Sequence, residues 1–92
     1  MDFFLITYDI PNDRRRTKIA DLLEDYGRRV QYSVFEAWLD DKMRQDMIRE
    51  IKSLVQEEED SVRLYRLCAA CRGKVIVIGQ GELPEPPGLV IV

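Results

Sequence analysis

Six consecutive residues near the start of the chain, Phe3-Phe4-Leu5-Ile6-Thr7-Tyr8, read as a β-strand that is apolar on both faces. Successive side chains of a strand point to opposite sides of its sheet, so this strand belongs at a sheet centre and needs cover above and below. That requirement narrows the folds open to the chain. The strand ends at Asp9, Pro11 and Asn12 make a turn, and Asn12 or Asp13 caps the helix that follows. Ile19, Leu22, Leu23 and Tyr26 recur at helical spacing on one face, and Gly27 supplies the stop.

The β-rich stretch from Arg28 to Leu39 is too long for one ordinary strand, and its alternation slips. Val30, Tyr32 and Val34 share one face, whereas Phe35, Ala37 and Leu39 carry the apolar set beyond them. A bulge, or two short strands with a bend near Ser33, accounts for the slip. Asp40 or Asp41 then caps a second helix whose Met43, Met47, Ile51, Leu54 and Val55 face the core. Glu57-Glu58-Glu59-Asp60 reads as its frayed, solvated end. Segments 61–67 and 74–78 read as two more strands around the small-residue loop Cys68-Ala69-Ala70-Cys71-Arg72-Gly73.

Two helices for four or five strands predict an α+β domain with both helices on one side of an antiparallel sheet. With 28–39 split in two, the order is βαββαβ, a ferredoxin-like plan. The helices then cover one face of the central strand, and a second copy of the chain is the simplest cover for the other. One domain spans 1–92: a core over 1–79, then a Gly/Pro linker and the aliphatic Leu89-Val90-Ile91-Val92 over 80–92. An unpaired aliphatic strand is an aggregation hazard. Ten extended residues reach roughly 33 Å, enough for this one to pair with a partner's sheet.

With 46% hydrophobic and 34% charged residues, the composition is that of a folded globular chain. No apolar run approaches the roughly 18 residues of a membrane helix, and the Met-Asp-Phe-Phe start lacks the basic region of a signal peptide. With two cysteines and no histidine, a disulfide framework is not expected, and a reducing cytoplasm is. The lack of histidine removes the commonest general base and metal ligand, leaving carboxylates, cations or a bound metal for any catalysis.

The net charge of −3 hides a segregation. Arg14, Arg15, Arg16, Lys18, Arg28 and Arg29 outnumber Asp21, Glu24 and Asp25, and segment 61–74 has four cations and no acid. Residues 40–60 hold eight acids against four bases. A surface divided in this way can bind phosphate on one side while the whole stays acidic, although charge runs are more often solvated faces. Arg14-Arg15-Arg16 stand in the first helical turn, where the macrodipole disfavours cations by roughly 0.3–1 kcal/mol each. Amides at a helix start together with arginines suit a phosphate backbone. The bland alternative is three arginines reaching into water.

Asp9, at the end of a buried strand, is a candidate functional acid, with a turn or cap role as the alternative. One carboxylate per chain is thin for a metal site, but a two-fold dimer brings two together, which suits a hard cation such as Mg²⁺. Cys68-x-x-Cys71 has zinc-like and redox-like spacing. A structural zinc site wants four ligands, which only two protomers could supply, and two small residues packing at a loop is the simpler reading.

Phe4-Leu5-Ile6-Thr7-Tyr8-Asp9-Ile10-Pro11-Asn12-Asp13-Arg14-Arg15-Arg16, followed by Arg29-Val30-Gln31-Tyr32-Ser33-Val34-Phe35-Glu36, resembles the CRISPR-associated protein 2 family over nearly the whole chain. The resemblance implies a ferredoxin-like homodimer whose terminal strands complete the partner's sheet, with Asp9 facing its symmetry mate across a cleft that holds Mg²⁺, Mn²⁺ being the other candidate. It implies a metal-dependent endonuclease acting on single-stranded RNA or double-stranded DNA in CRISPR adaptation. It also implies a partner, the CRISPR integrase (CRISPR-associated protein 1), on incoming DNA. Family positions tied to activity map onto Tyr8, Asp9, Arg16, Arg29, Ser33 and Phe35. Lys18 stands where an arginine is frequent, which keeps charge but loses bidentate phosphate geometry. A non-catalytic DNA-binding adaptor bridging integrase dimers is the second reading. A small-molecule regulatory domain ranks last, for want of a glycine-rich ligand loop or a fused enzyme domain.

Overall fold

A computed structural model describes residues 1–79 and 81. The chain runs β1 (Asp2–Asp9), α1 (Asp13–Glu24), β2 (Arg28–Gln31), β3 (Val34–Leu39), α2 (Asp41–Leu54), β4 (Ser61–Leu67) and the short α3 (Ala69–Arg72). The four strands form one antiparallel sheet in the order β2-β3-β1-β4. This is the ferredoxin-like plan, with the strand that is apolar on both faces at the interior of the sheet.

The 3.6-residue and two-residue periods meet on one side of the sheet. Phe4, Ile6 and Tyr8 of β1 and Phe35, Ala37 and Leu39 of β3 pack against Ile19, Ala20 and Leu23 of α1 and Met47 and Ile51 of α2. Leu22, Tyr26, Met43, Leu54, Val55, Val62 and Leu64 close the edges of this core. Asn12 caps α1, its side chain accepting from the Arg15 N–H at 2.9 Å, and Asp40 caps α2 through the Met43 N–H at 2.7 Å. The long 28–39 stretch is a hairpin turning at Tyr32-Ser33, with a bulge between Arg29 and Gln31 that accounts for the slipped alternation.

Four expectations need correction. Gly27 does not take the left-handed conformation of a glycine stop; positive φ occurs only at Gly79 and Gly81 among the described residues. Its constraint is space, because a Cβ there would meet Ala37 Cβ at 2.7 Å and, closer still, the Glu36 carbonyl oxygen. Asp60 is no frayed end: α2 stops at Leu54, and the Asp60 side chain is fully enclosed and hydrogen-bonded. Residues 74–78 form no strand. Lys74 and Val75 donate back to the carbonyls of Cys71 and Arg72, and residues 75–78 enter no ladder among the described residues. The loop after β4 contains the single turn α3, and Cys68 and Cys71 are exposed there rather than packed. The linker and terminal strand placed at 80–92 lie outside the described residues, Gly81 apart. No helix among the described residues is long and apolar enough to cross a membrane.

Candidate nucleic-acid interface and carboxylate site

The face of the sheet away from α1 and α2 is built by the odd-numbered residues of β1, namely Phe3, Leu5, Thr7 and Asp9. Their partners on the same face are Trp38, Glu36 and Val34 of β3 and Leu67, Tyr65, Arg63 and Ser61 of β4. Phe3 and Trp38 meet edge to face at 5.1 Å, and the Arg72 guanidinium of α3 lies over both rings, at 5.5 and 5.2 Å. Burial raises the Glu36 carboxyl above its ordinary value, and the neighbouring charges of Arg28 and Arg72 oppose that rise.

Asp9 stands exposed at the open end of this face, opposite Ser61. Thr7, Tyr8, Asp9, Ser61, Arg63 and Tyr65 line one hollow of about 400 Å³. Arg63 bonds the Tyr65 hydroxyl at 3.4 Å, which raises the guanidinium pKa, and it lines the same hollow as Asp9. Among the described residues no three His, Cys, Asp or Glu side chains gather as a metal site. One chain offers one carboxylate here. The donor set fits a hard cation only if a second Asp9 and several waters complete it.

Behind Asp9, on the helix side of the same strand end, the other predicted residues come together. The Tyr8 N–H donates to the Ser33 carbonyl at 3.1 Å, and the Tyr8 hydroxyl to the Tyr32 carbonyl at 3.2 Å. The Tyr8 and Phe35 rings lie 6.2 Å apart, and the Arg29 guanidinium covers the Phe35 ring at 5.4 Å. Arg16 donates to the Ile10 carbonyl at 3.0 Å and pairs with Asp13, an arrangement that raises its pKa. Tyr8, Arg16, Arg29 and Tyr32 line a second hollow, of about 300 Å³. Arg16 thereby ties the turn after Asp9 to the start of α1.

The basic run of α1 divides into unlike members. Arg14 and Lys18 are exposed. Arg15 turns away toward the loop before β4, where its Nε donates to Asp60 at 2.8 Å and its Nη2 to Glu59 at 2.7 Å. Asp60 also accepts from the Gln56 N–H at 2.8 Å. The Arg15 hydrogen bonds, foremost, hold the Asp60 carboxyl below its usual range. Because Ser61 follows and pairs with Asp9, this clamp fixes the β4 side of the carboxylate hollow. The sequence reading missed Asp60, Arg63 and Tyr32 as parts of the site. The alternation of β4 could have indicated Arg63; nothing local marked Asp60.

Fold and site together define a ferredoxin-like α+β domain with a carboxylate at the end of an interior strand and arginines grouped around that end. The family model described as CRISPR associated protein Cas2 matches residues 1–75. The chain is 48% identical over 92 residues, covering all of both chains, to the CRISPR-associated endoribonuclease Cas2 3 of Synechocystis sp.. It is 44% identical to the CRISPR-associated endonuclease Cas2 2 of Thermus thermophilus, covering 89% of this chain and 87% of that one. A chain of a solved partial Cas6-RT-Cas1–Cas2 complex superposes with a TM-score of 0.78 at 28% identity, covering all of both chains. This chain belongs to the CRISPR-associated Cas2 family.

Proposed function

We propose that the chain is a homodimeric CRISPR adaptation protein that binds nucleic acid and hydrolyses phosphodiester bonds with Mg²⁺ or Mn²⁺. The single observation that carries this reading is Asp9, exposed at the end of β1 on the sheet face that α1 and α2 leave uncovered. A second copy laid against that face covers the apolar Leu5, Val34 and Leu67 and brings a second Asp9 to the first. The two carboxylates and water would hold a hard dication, which supplies a polarised water and offsets negative charge on the phosphate. Arg63 offers a further cation on the same side. Arg16 and Tyr8 hold the strand end in position, while Arg29, Arg28, Arg14 and Lys18 contact flanking phosphates. Ser33, through its carbonyl, and Phe35, through packing, shape the cleft. The two relatives named as an endoribonuclease and an endonuclease support the reading and leave RNA and DNA as alternative substrates.

A second reading, an adaptor that bridges Cas1 dimers on DNA without cutting it, is favoured by one observation. Asp9 is one carboxylate per chain, and no histidine exists to act as general base. The full-length likeness to a chain of a Cas1–Cas2 complex supports that partnership. Asp9→Asn separates the readings, because it keeps the side-chain shape and removes the charge. It is expected to leave fold, dimer and DNA affinity intact while abolishing Mg²⁺-dependent cleavage, as EDTA does for the unmodified chain. Cleavage that survives both treatments overturns the role of Asp9. No cleavage at any Mg²⁺ or Mn²⁺ concentration, with DNA and Cas1 still bound, establishes the adaptor.

A further inference from the structure

Cys68 and Cys71 play no part in the proposed site, yet the fold presents them together. Both thiols are exposed and unbridged. Cys68 stands at the N-cap of α3, and its Sγ accepts the Cys71 backbone N–H at 3.4 Å. Cys68 precedes the single turn of α3 in extended conformation, and a bridge to Cys71 requires their Cβ atoms to come within roughly 3.5–4.5 Å, so closing it takes a tightening of this short turn as well as a change of rotamer. A pair selected only as small packing residues would not be turned toward water with one sulfur receiving the other residue's N–H.

We propose that Cys68 and Cys71 form a redox-active dithiol that closes to an intrachain disulfide in exchange with a low-molecular-weight disulfide. Cys68 is the attacking group. Hydrogen bonds from the Cys71 N–H and then from the Cys71 side chain hold its thiol below the ordinary value, and the same contact pushes Cys71 up. The Cys68 thiolate attacks one sulfur of the small disulfide, whose S–S bond breaks and releases one thiolate. Cys71 then loses its proton to water and attacks the Cys68 sulfur, forming the Cys68–Cys71 bond and expelling the second thiolate. Two protein thiols are oxidised by two electrons, and one small disulfide is reduced to two thiols. The bridge closes directly before Arg72, whose guanidinium covers Phe3 and Trp38. It therefore forms beside the aromatic end of the uncovered sheet face.

The test is a titration of the full chain in glutathione redox buffers, read by thiol alkylation and intact mass. Both thiols are expected to disappear together, in one two-electron transition, giving a chain lighter by two hydrogens with Cys68 and Cys71 linked in its peptide map. Cys71→Ser removes the resolving thiol and is expected to retain one glutathione on Cys68. Cys68→Ser is expected to react about tenfold more slowly or less. Independent loss of the two thiols, a bridge between chains, or no mixed disulfide on Cys71→Ser overturns the proposal. So does zinc that co-purifies at one ion per two chains and shields all the thiols.

Discussion

Gly27→Ala tests whether the hairpin that carries Arg28 and Arg29 is positioned by close packing against the end of α1. The backbone of Gly27 is not left-handed, so an alanine faces no conformational strain there, and in open space it would stabilise by about 0.4–1 kcal/mol through the unfolded chain. Space decides otherwise. The new Cβ meets Ala37 Cβ at 2.7 Å and Ala37 Cα at 3.0 Å, against an optimum of about 3.5–4.0 Å between carbons. Ala37 is buried in β3 and the other obstacle is the Glu36 carbonyl, so neither can rotate aside. Relief requires α1 and β3 to separate by roughly 1 Å, and overpacking of this kind costs about 1–3 kcal/mol or more. The expected net loss is about 2 kcal/mol, or about 10 °C in Tm for a domain of this size. Chemical and thermal unfolding at fixed protein concentration measure it, with Gly73→Ala as control. Gly73 has helical dihedrals and nothing nearer than 3.5 Å, so its alanine is expected to be neutral or slightly stabilising. A Gly27→Ala chain within about 0.5 kcal/mol of the unmodified protein refutes the packing argument.

Three further outcomes follow from the same geometry. Phe35→Ala empties a fully buried ring site and is expected to cost about 3–5 kcal/mol, so only a Phe35→Leu chain that unfolds cooperatively can report on a role in cleavage. Arg14→Ala should weaken DNA binding and lower the salt slope by about 1 with little change in Tm, whereas Arg15→Ala should lower Tm more than it lowers affinity. Competition binding across a salt series, beside thermal melts, separates the two. Asp60 carries a depressed carboxyl pKa in the folded chain, so its stabilisation is complete above the unfolded value of about 3.9 and is lost as pH falls through the folded value. Tm measured from pH 6 down to about 2 should therefore fall less steeply for Asp60→Asn than for the unmodified chain, from a lower starting point; parallel curves would remove Asp60 from the acid response.

Much of this molecule is local and therefore legible in its sequence. The two-sided apolar character of β1 placed it inside the sheet, Asn12 and Asp40 cap their helices through side chains three residues from the amides they receive, and the slipped alternation of 28–39 is the bulged hairpin. Asp9 at a strand end and the paired motifs around it mark the candidate site in the sequence itself. What the tertiary structure decided are relations between residues far apart in the chain. Three adjacent arginines look alike in sequence, yet Arg15 is bound to an aspartate 45 residues away, Arg16 to the turn after β1, and Arg14 is left exposed. Asp60 looked like one more acid in a solvated run, and only the docking of the loop before β4 against α1 encloses it. Gly27 read as a helix stop because a glycine after a helix commonly takes a left-handed turn; the approach of β3 is a contact no local pattern encodes. The physical reason is common to all three. Periodicity and capping depend on neighbours within about one turn, whereas charge pairing and steric exclusion depend on which surfaces the completed sheet brings together.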